Sequence, residues 1–169
     1  DFFPAIDVDF PPMKLVRWRR FTWELAQLPE LENTLPQRYS MREATRAESR
    51  DIHNVIFSSF SLDAAWGDAL KLFQDRLEAQ VELAMTRPTV PSLVITHGQR
   101  VIAASVLTSE EDAESQLLSG PCVLTEYRNR GIGTILLWGS LMQLREAGLS
   151  RASGITKEHT AVRTSAGIF

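Results

Sequence analysis

The sequence predicts an α+β domain in which helices flank a mixed, mostly antiparallel sheet, with one parallel crossover near the end. Three observations lead there. Two β-branched runs, SLVIT and RVIAASVLT, stand on either side of His97, Gly98 and Gln99, which is the pattern of an antiparallel hairpin. Before the hairpin, apolar residues recur at helical spacing over two segments. After it, a strand runs into a glycine turn and an amphipathic helix, and another strand follows, which makes a crossover unit.

Composition narrows the class. The chain has 169 residues, 44% of them hydrophobic and 23% charged. A chain of this length forms one ordinary domain that buries roughly 70% of the surface its unfolded form exposes. A mean hydropathy of −0.12 excludes a disordered or fibrous protein. The net charge of −3 argues against nucleic acid as a partner. Cys122 is the single cysteine, so an intrachain disulfide and a thiolate zinc cluster are excluded, and a cytoplasmic setting is expected. Apolar runs such as 135–138 fall far short of the roughly 20 residues of a spanning helix, so no membrane is expected. The opening DFFPAIDVDFPP has acids and prolines where a secretory signal has a basic end and an apolar core.

Residues 1–37 read as an N-terminal extension, packed on the domain or at a dimer interface, and 38–169 as the domain itself. The middle of the extension, MKLVRWRRFTW, fits a strand better than a helix. Its basic residues read as solvated rather than as a phosphate contact. The run RYSMREA reads as a short strand. Thr45 and Glu48 form a capping box for a helix over 46–60, on which Ile52, Val55, Ile56 and Ser59 share a face. Asp63 caps a second helix whose stripe of Trp66, Leu70, Phe73, Leu77, Val81 and Ala84 runs to the stop at Pro88. The hairpin follows, then the polar loop SEEDAES. LLSGPCVLT reads as a strand, EYRNRGIGT as a turn, and ILLWGSLMQLREAGL as a helix ended by Gly148. ASGIT makes a last strand, and HTAVRTSAG a last helical turn or two.

One segment carries chemistry. In RNRGIGT, Gly131 and Gly133 stand where a helix begins, so several backbone N–H groups there lack an intrahelical partner and point outward together. Arg128 and Arg130 add positive charge, and a pyrophosphate is the natural guest. The Rossmann fingerprint needs a third glycine or alanine where this chain has Leu136, and no Gly-Lys-Ser or Gly-Lys-Thr occurs, so NAD and Walker-type nucleotide sites are disfavoured.

The segment VLTEYRNRGIGTILL resembles the acetyl-CoA-binding motif of the GNAT N-acetyltransferases, Arg/Gln-x-x-Gly-x-Gly/Ala, matched by Arg128, Gly131 and Gly133. The upstream RYSMREAT and its helix are similar to the family's first strand and helix, and the likeness covers about residues 38–169. The resemblance implies the acyl-CoA N-acyltransferase fold. It implies that the backbone of Asn129, Arg130, Gly131, Ile132, Gly133 and Thr134 holds the pyrophosphate of acetyl-CoA (coenzyme A), with Arg128 and Arg130 assisting. Val123, Leu124 and Thr125 would then pair with the pantetheine arm, which threads between their strand and the diverging strand around Ile155. Cys122, in the same strand, reads as buried filler rather than a nucleophile.

The implied reaction is direct attack of a primary amine on the thioester in a ternary complex, the acceptor being a small molecule or a peptide. An amine of pKa near 10.4 costs roughly 4.6 kcal/mol to keep neutral at pH 7, so a base is expected nearby. The candidates are His159, where the family often has an Asn, and Glu126 in the lead-in to the motif. The acidic run Glu110, Glu111, Asp112 and Glu114 can attract a cationic acceptor but reads first as a solvated loop. His53 and His97 are isolated, and no metal is expected.

Two departures from the family stand out. Members commonly place a Tyr in the last helix to protonate the leaving thiolate, whereas no Tyr follows Tyr127; Ser165 or Thr164 is the nearest substitute. Family domains also usually continue into further strands beyond the position of Phe169, so either the sequence lacks the last strands or a homodimer supplies the pairing. The rival reading is a non-catalytic acyl-CoA-binding or sensory domain of the same fold.

Overall fold

The computed structural model describes residues 18–61 and 69–157, and side chains within 19–59 and 74–155. In chain order these form β1 (Trp18–Glu24), β2 (Tyr39–Glu43), α1 (Ser49–Ser61), α2 (Ala69–Thr86), β3 (Leu93–His97), β4 (Arg100–Ser105), β5 (Cys122–Val123), α3 (Ile132–Glu146) and β6 (Arg151–Lys157). The strands make two sheets. One has the order β2-β3-β4-β5, antiparallel throughout; the other is the antiparallel pair β1-β6.

Both faces of the larger sheet are covered, so β3 and β4 are apolar on both sides rather than alternating. On one face Ile52, Val55 and Ile56 of α1 and Leu77 and Val81 of α2 pack on Val94, Ala104 and Cys122. On the other, Ile132 and Leu136 of α3 pack on Leu93, Ile95, Ile102 and Ala103. The start of α2 as read from Asp63, with Trp66, lies outside the described residues, as do the side chains of Leu70 and Phe73. A third cluster joins the smaller sheet to α3: Trp23, Leu25 and Ala152 meet Leu137, Leu141 and Leu144.

The hairpin turns at Gly98 (φ 61°), where a left-handed conformation suits glycine. The helix read over 46–60 begins with a 3-10 turn at Arg46–Glu48 and becomes α1 at Ser49. There the Glu48 carboxylate accepts the Thr45 N–H at 2.9 Å.

The strand read over 117–125 is the main difference. Only Cys122–Val123 is regular, because the chain swings out at 118–121: the N–H groups of Leu118 and Ser119 both reach the Val106 carbonyl, Gly120 is left-handed (φ 65°), and Pro121 has no N–H to give. Thr125–Tyr127 is a 3-10 turn, not strand.

The expected crossover to β6 is reduced to a single parallel bridge, Leu117 to Gly154. Beyond it the two strands separate, and β6 pairs instead with β1 over its whole length, from Trp18 opposite Lys157 to Glu24 opposite Arg151. Gln116 supports the junction. Its side-chain oxygen accepts the Ser153 N–H at 2.8 Å, while its amide donates to the carbonyls of Glu110 (3.0 Å) and Ala113 (3.2 Å).

Candidate functional site: a turn at the start of α3

The turn between β5 and α3 is built on two left-handed residues, Asn129 (φ 63°) and Gly131 (φ 78°). Gly131 is the N-cap of α3 and has no side chain to cap the helix. The first backbone bond of the helix is Ile135 N–H to the Gly131 carbonyl, so the backbone N–H groups of 129–134 donate to no described backbone acceptor. An added Cβ on Gly131 would meet nothing within 4 Å, so the space over the turn is open. At Gly133 a Cβ would stand 3.8 Å from Val123, so here a small residue keeps the helix start close to β5. An open ring of unpaired N–H donors at the positive end of a helix dipole is suited to a phosphate group.

The arginines of the turn have other contacts. Arg128 Nε donates to the Val123 carbonyl at 3.3 Å. Arg130 Nη1 donates to the Tyr39 hydroxyl at 3.4 Å and its guanidinium lies 5.4 Å from the centre of the Tyr127 ring. Tyr127 is held in turn by His97, whose Nδ1 lies 2.9 Å from its hydroxyl, and His97 stacks on Tyr39 with ring centres 4.5 Å apart. Sequence reasoning missed this group. Tyr39, His97 and Tyr127 come from β2, the hairpin tip and the 3-10 turn, and no spacing along the chain links them.

Glu126 lies beside Arg100 at 3.5 Å, both side chains 58% exposed, on the hairpin side of the turn. His159, Thr164 and Ser165 lie outside the described residues. Cys122 is buried, donates to the Ser119 carbonyl at 3.5 Å, and burial pushes its thiol up to about 12. It stays protonated and unreactive at neutral pH. His53 is not isolated but meets Glu78 at 3.2 Å across α1 and α2. Among the described residues no three metal-ligating side chains gather, and no helix is long and apolar enough to cross a membrane.

On the side away from β4, β5 has no strand partner among the described residues, and neither does β6 on the side away from β1. The gap between them starts at the Leu117–Gly154 bridge and opens toward the turn. Two sheets that diverge beside a glycine turn at the start of a helix define the class of fold.

Solved structures give that class a name. A GCN5-related N-acetyltransferase from Sphaerobacter thermophilus superposes with a TM-score of 0.62 over 92% of this chain, at 15% identity. The GCN5-related glucosamine N-acetyltransferase region of a fungal multi-domain beta-N-acetylglucosaminidase gives 0.56 over 89%, at 14% identity. A Drosophila protein gives 0.53 over 92%, at 15% identity. The chain spans 48% of the Sphaerobacter and Drosophila chains and 20% of the fungal one. No protein-family model and no curated protein matches the sequence. The chain has the fold of the GCN5-related N-acetyltransferases.

Proposed function

We propose that the protein is an N-acetyltransferase that uses acetyl-CoA to acetylate a primary amine. The observation that carries the reading is the open turn over Gly131, with its unpaired N–H groups, beside the gap between β5 and β6. The residues present fit the ligand. The N–H groups of 129–134 take the pyrophosphate, Arg128 and Arg130 supply positive charge at its edge, and the N–H groups of Val123 and Thr125 are left to donate to an arm rich in amides, the carbonyls of 123–125 being taken by Arg128 and Tyr127.

Acetyl-CoA supplies a thioester. The amine nitrogen forms a bond to its carbonyl carbon, the carbon–sulfur bond breaks, the nitrogen loses a proton and the departing thiolate gains one, giving an amide and the free thiol. This chain's part is to hold the two reactants in line and to keep water from the gap. His159 and Ser165 stand as the proton acceptor and donor of this reading. Glu126, in an exposed ion pair with Arg100 at 3.5 Å, is the weaker candidate for proton acceptor. That placement of Glu126 favours a second reading, a domain that binds acyl-CoA without turning it over.

Calorimetric titration tests the first claim. Acetyl-CoA is expected to bind the protein at micromolar Kd, about −8 kcal/mol, and to bind a Gly131→Trp variant at least tenfold more weakly. A folded wild type that binds none overturns both readings. Thiol release with a panel of amines then separates them, since only the transferase releases it.

A further inference from the structure

A cleft of about 1010 Å³ lies where the gap between the sheets ends, on the side of α2. Its floor includes Leu117 and Ile155, the residues beside the bridge at which β5 and β6 part. On the proposed reading, a ligand with its pyrophosphate at Gly131 and its arm along the gap ends with its acyl group at this floor. An acceptor must therefore approach through the cleft.

The two walls carry opposite charge. Arg76 and Arg87 line the α2 side, and Glu110 and Glu114 line the loop side. All four side chains are exposed and none of their charged groups pairs with another described residue, although the Glu114 carbonyl accepts the Arg20 guanidinium at 2.9 Å. Between the arginines stands Leu83, 61% exposed, the one large exposed apolar side chain among the described residues. One end is closed by Thr89, whose hydroxyl lies 3.2 Å from that of Thr108 and accepts the Ser109 N–H at 2.8 Å.

Walls of opposite sign over an apolar floor select a molecule with charges of both signs and an apolar body. A simple amine would leave the arginines facing its own positive charge, and like charges brought together oppose binding. We infer that the cleft takes the acceptor and that the acceptor is an amino acid with an apolar side chain. Its carboxylate lies toward Arg87, one helical turn from Leu83, its amine toward Glu114 and the floor at Leu117, and its side chain against Leu83. This rests on the transferase reading and adds the class of substrate. A bidentate guanidinium–carboxylate contact is the kind of interaction that fixes such a molecule in one orientation.

Leucine, leucinamide and isoamylamine share an apolar body, and only leucine carries a carboxylate. Thiol release is compared at equal free-amine concentration, and acetyl-CoA and leucine binding are measured by calorimetry on the same samples. We expect kcat/KM for leucine at least tenfold above the other two. Arg87→Glu should lower it at least tenfold, leave leucinamide within twofold, and leave acetyl-CoA affinity unchanged. Glu82→Gln, elsewhere on α2, should change nothing. If leucine is no better than leucinamide, or Arg87→Glu keeps the wild-type ratio, the inference is overturned while acetyl-CoA binding still stands. If acetyl-CoA does not bind, the transferase reading fails and the inference with it. If acetyl-CoA binds but no amine is turned over, leucine binding to the CoA-loaded protein that is lost in Arg87→Glu supports the cleft, and its absence overturns it.

Discussion

Glu48 holds together the start of α1 and the end of β2. Arg42 donates to both of its oxygens, at 2.7 and 2.6 Å, and the Thr45 hydroxyl lies 3.0 Å away. The Arg42 hydrogen bonds, with smaller help from Thr45, lower its carboxyl to about 2 from an ordinary value of 4.5. Because the folded value is the lower one, this stabilisation is present in full above pH 4.5 and is lost as pH falls toward 2. The Arg42 side chain is 44% exposed, so solvent screening limits the pair to about 1 kcal/mol. Glu48→Gln should lower the unfolding free energy measured in urea at pH 7 by that amount, and the difference from wild type should shrink by pH 2.5. Equal differences at both pH values would contradict the assignment. The capping role of Glu48 was legible because Thr45 and Glu48 stand three apart. Its partnership with Arg42 was not, since that depends on how β2 meets the helix.

The same contrast holds for the residues of the turn. Gly131 and Gly133 were legible because two glycines one residue apart stand where a strand pattern gives way to a helical one. The group of Tyr39, His97 and Tyr127 was not, because the three are brought together only by sheet pairing. Tyr127→Phe removes the hydroxyl beside His97 Nδ1 and should cost about 1 kcal/mol of stability, read by denaturant unfolding.

Among the elements, α3 approaches the sheet closely. A Cβ on Gly139 would lie 2.6 Å from the end of Met41 and 3.3 Å from Leu93. Next to it the Ser140 hydroxyl donates to Ser105 at 2.8 Å, buried between helix and strand. Met41 is flexible at its tip, so alanine is accommodated, whereas Gly139→Leu should destabilise by about 1–3 kcal/mol and lower Tm. The hairpin of β3 and β4 was legible from two β-branched runs around a glycine. The next strand was not legible in its true extent. Its apolar run is continuous from Leu117 to Leu124 apart from Ser119, Gly120 and Pro121, and those three residues break the ladder. Gln116 also gave no sign of its part, since a polar residue beside an acidic loop reads as surface, yet it is 4% exposed. Gln116→Leu should free the loop and loosen β6, costing about 1–3 kcal/mol, with faster amide exchange at Ser153 as the specific readout.

For the molecule as a whole, the smaller sheet decides whether the gap exists. β6 lies on one side of the gap and is supported on its other side by β1. Trp23 and Leu25 carry that support into the core beside Leu137 and Leu141. A protein lacking residues 1–24 loses the partner of β6, and we expect it to be recovered insoluble or without a cooperative unfolding transition. A soluble, cooperatively folding truncation would show that β6 stands without β1. The strand character of the segment around Trp18 was legible, but its partner was not, because pairing between segments so far apart leaves no local trace.

That pairing sets an order of events during synthesis. Residues 18–24 leave the ribosome early and wait, apolar side chains uncovered, until 151–157 follow. The hairpin and the first two helices have one another as partners before then, and only the face of the hairpin that α3 covers waits for a later segment. Contacts so distant along the chain form slowly, because a large loop must close before they contribute anything. The walls of the gap are therefore completed in a late step, and the newly made chain passes through a stage in which the turn at Gly131 is complete while the opposite wall is still missing. In that interval the unpaired β1 is the segment a chaperone would hold or an aggregate would recruit.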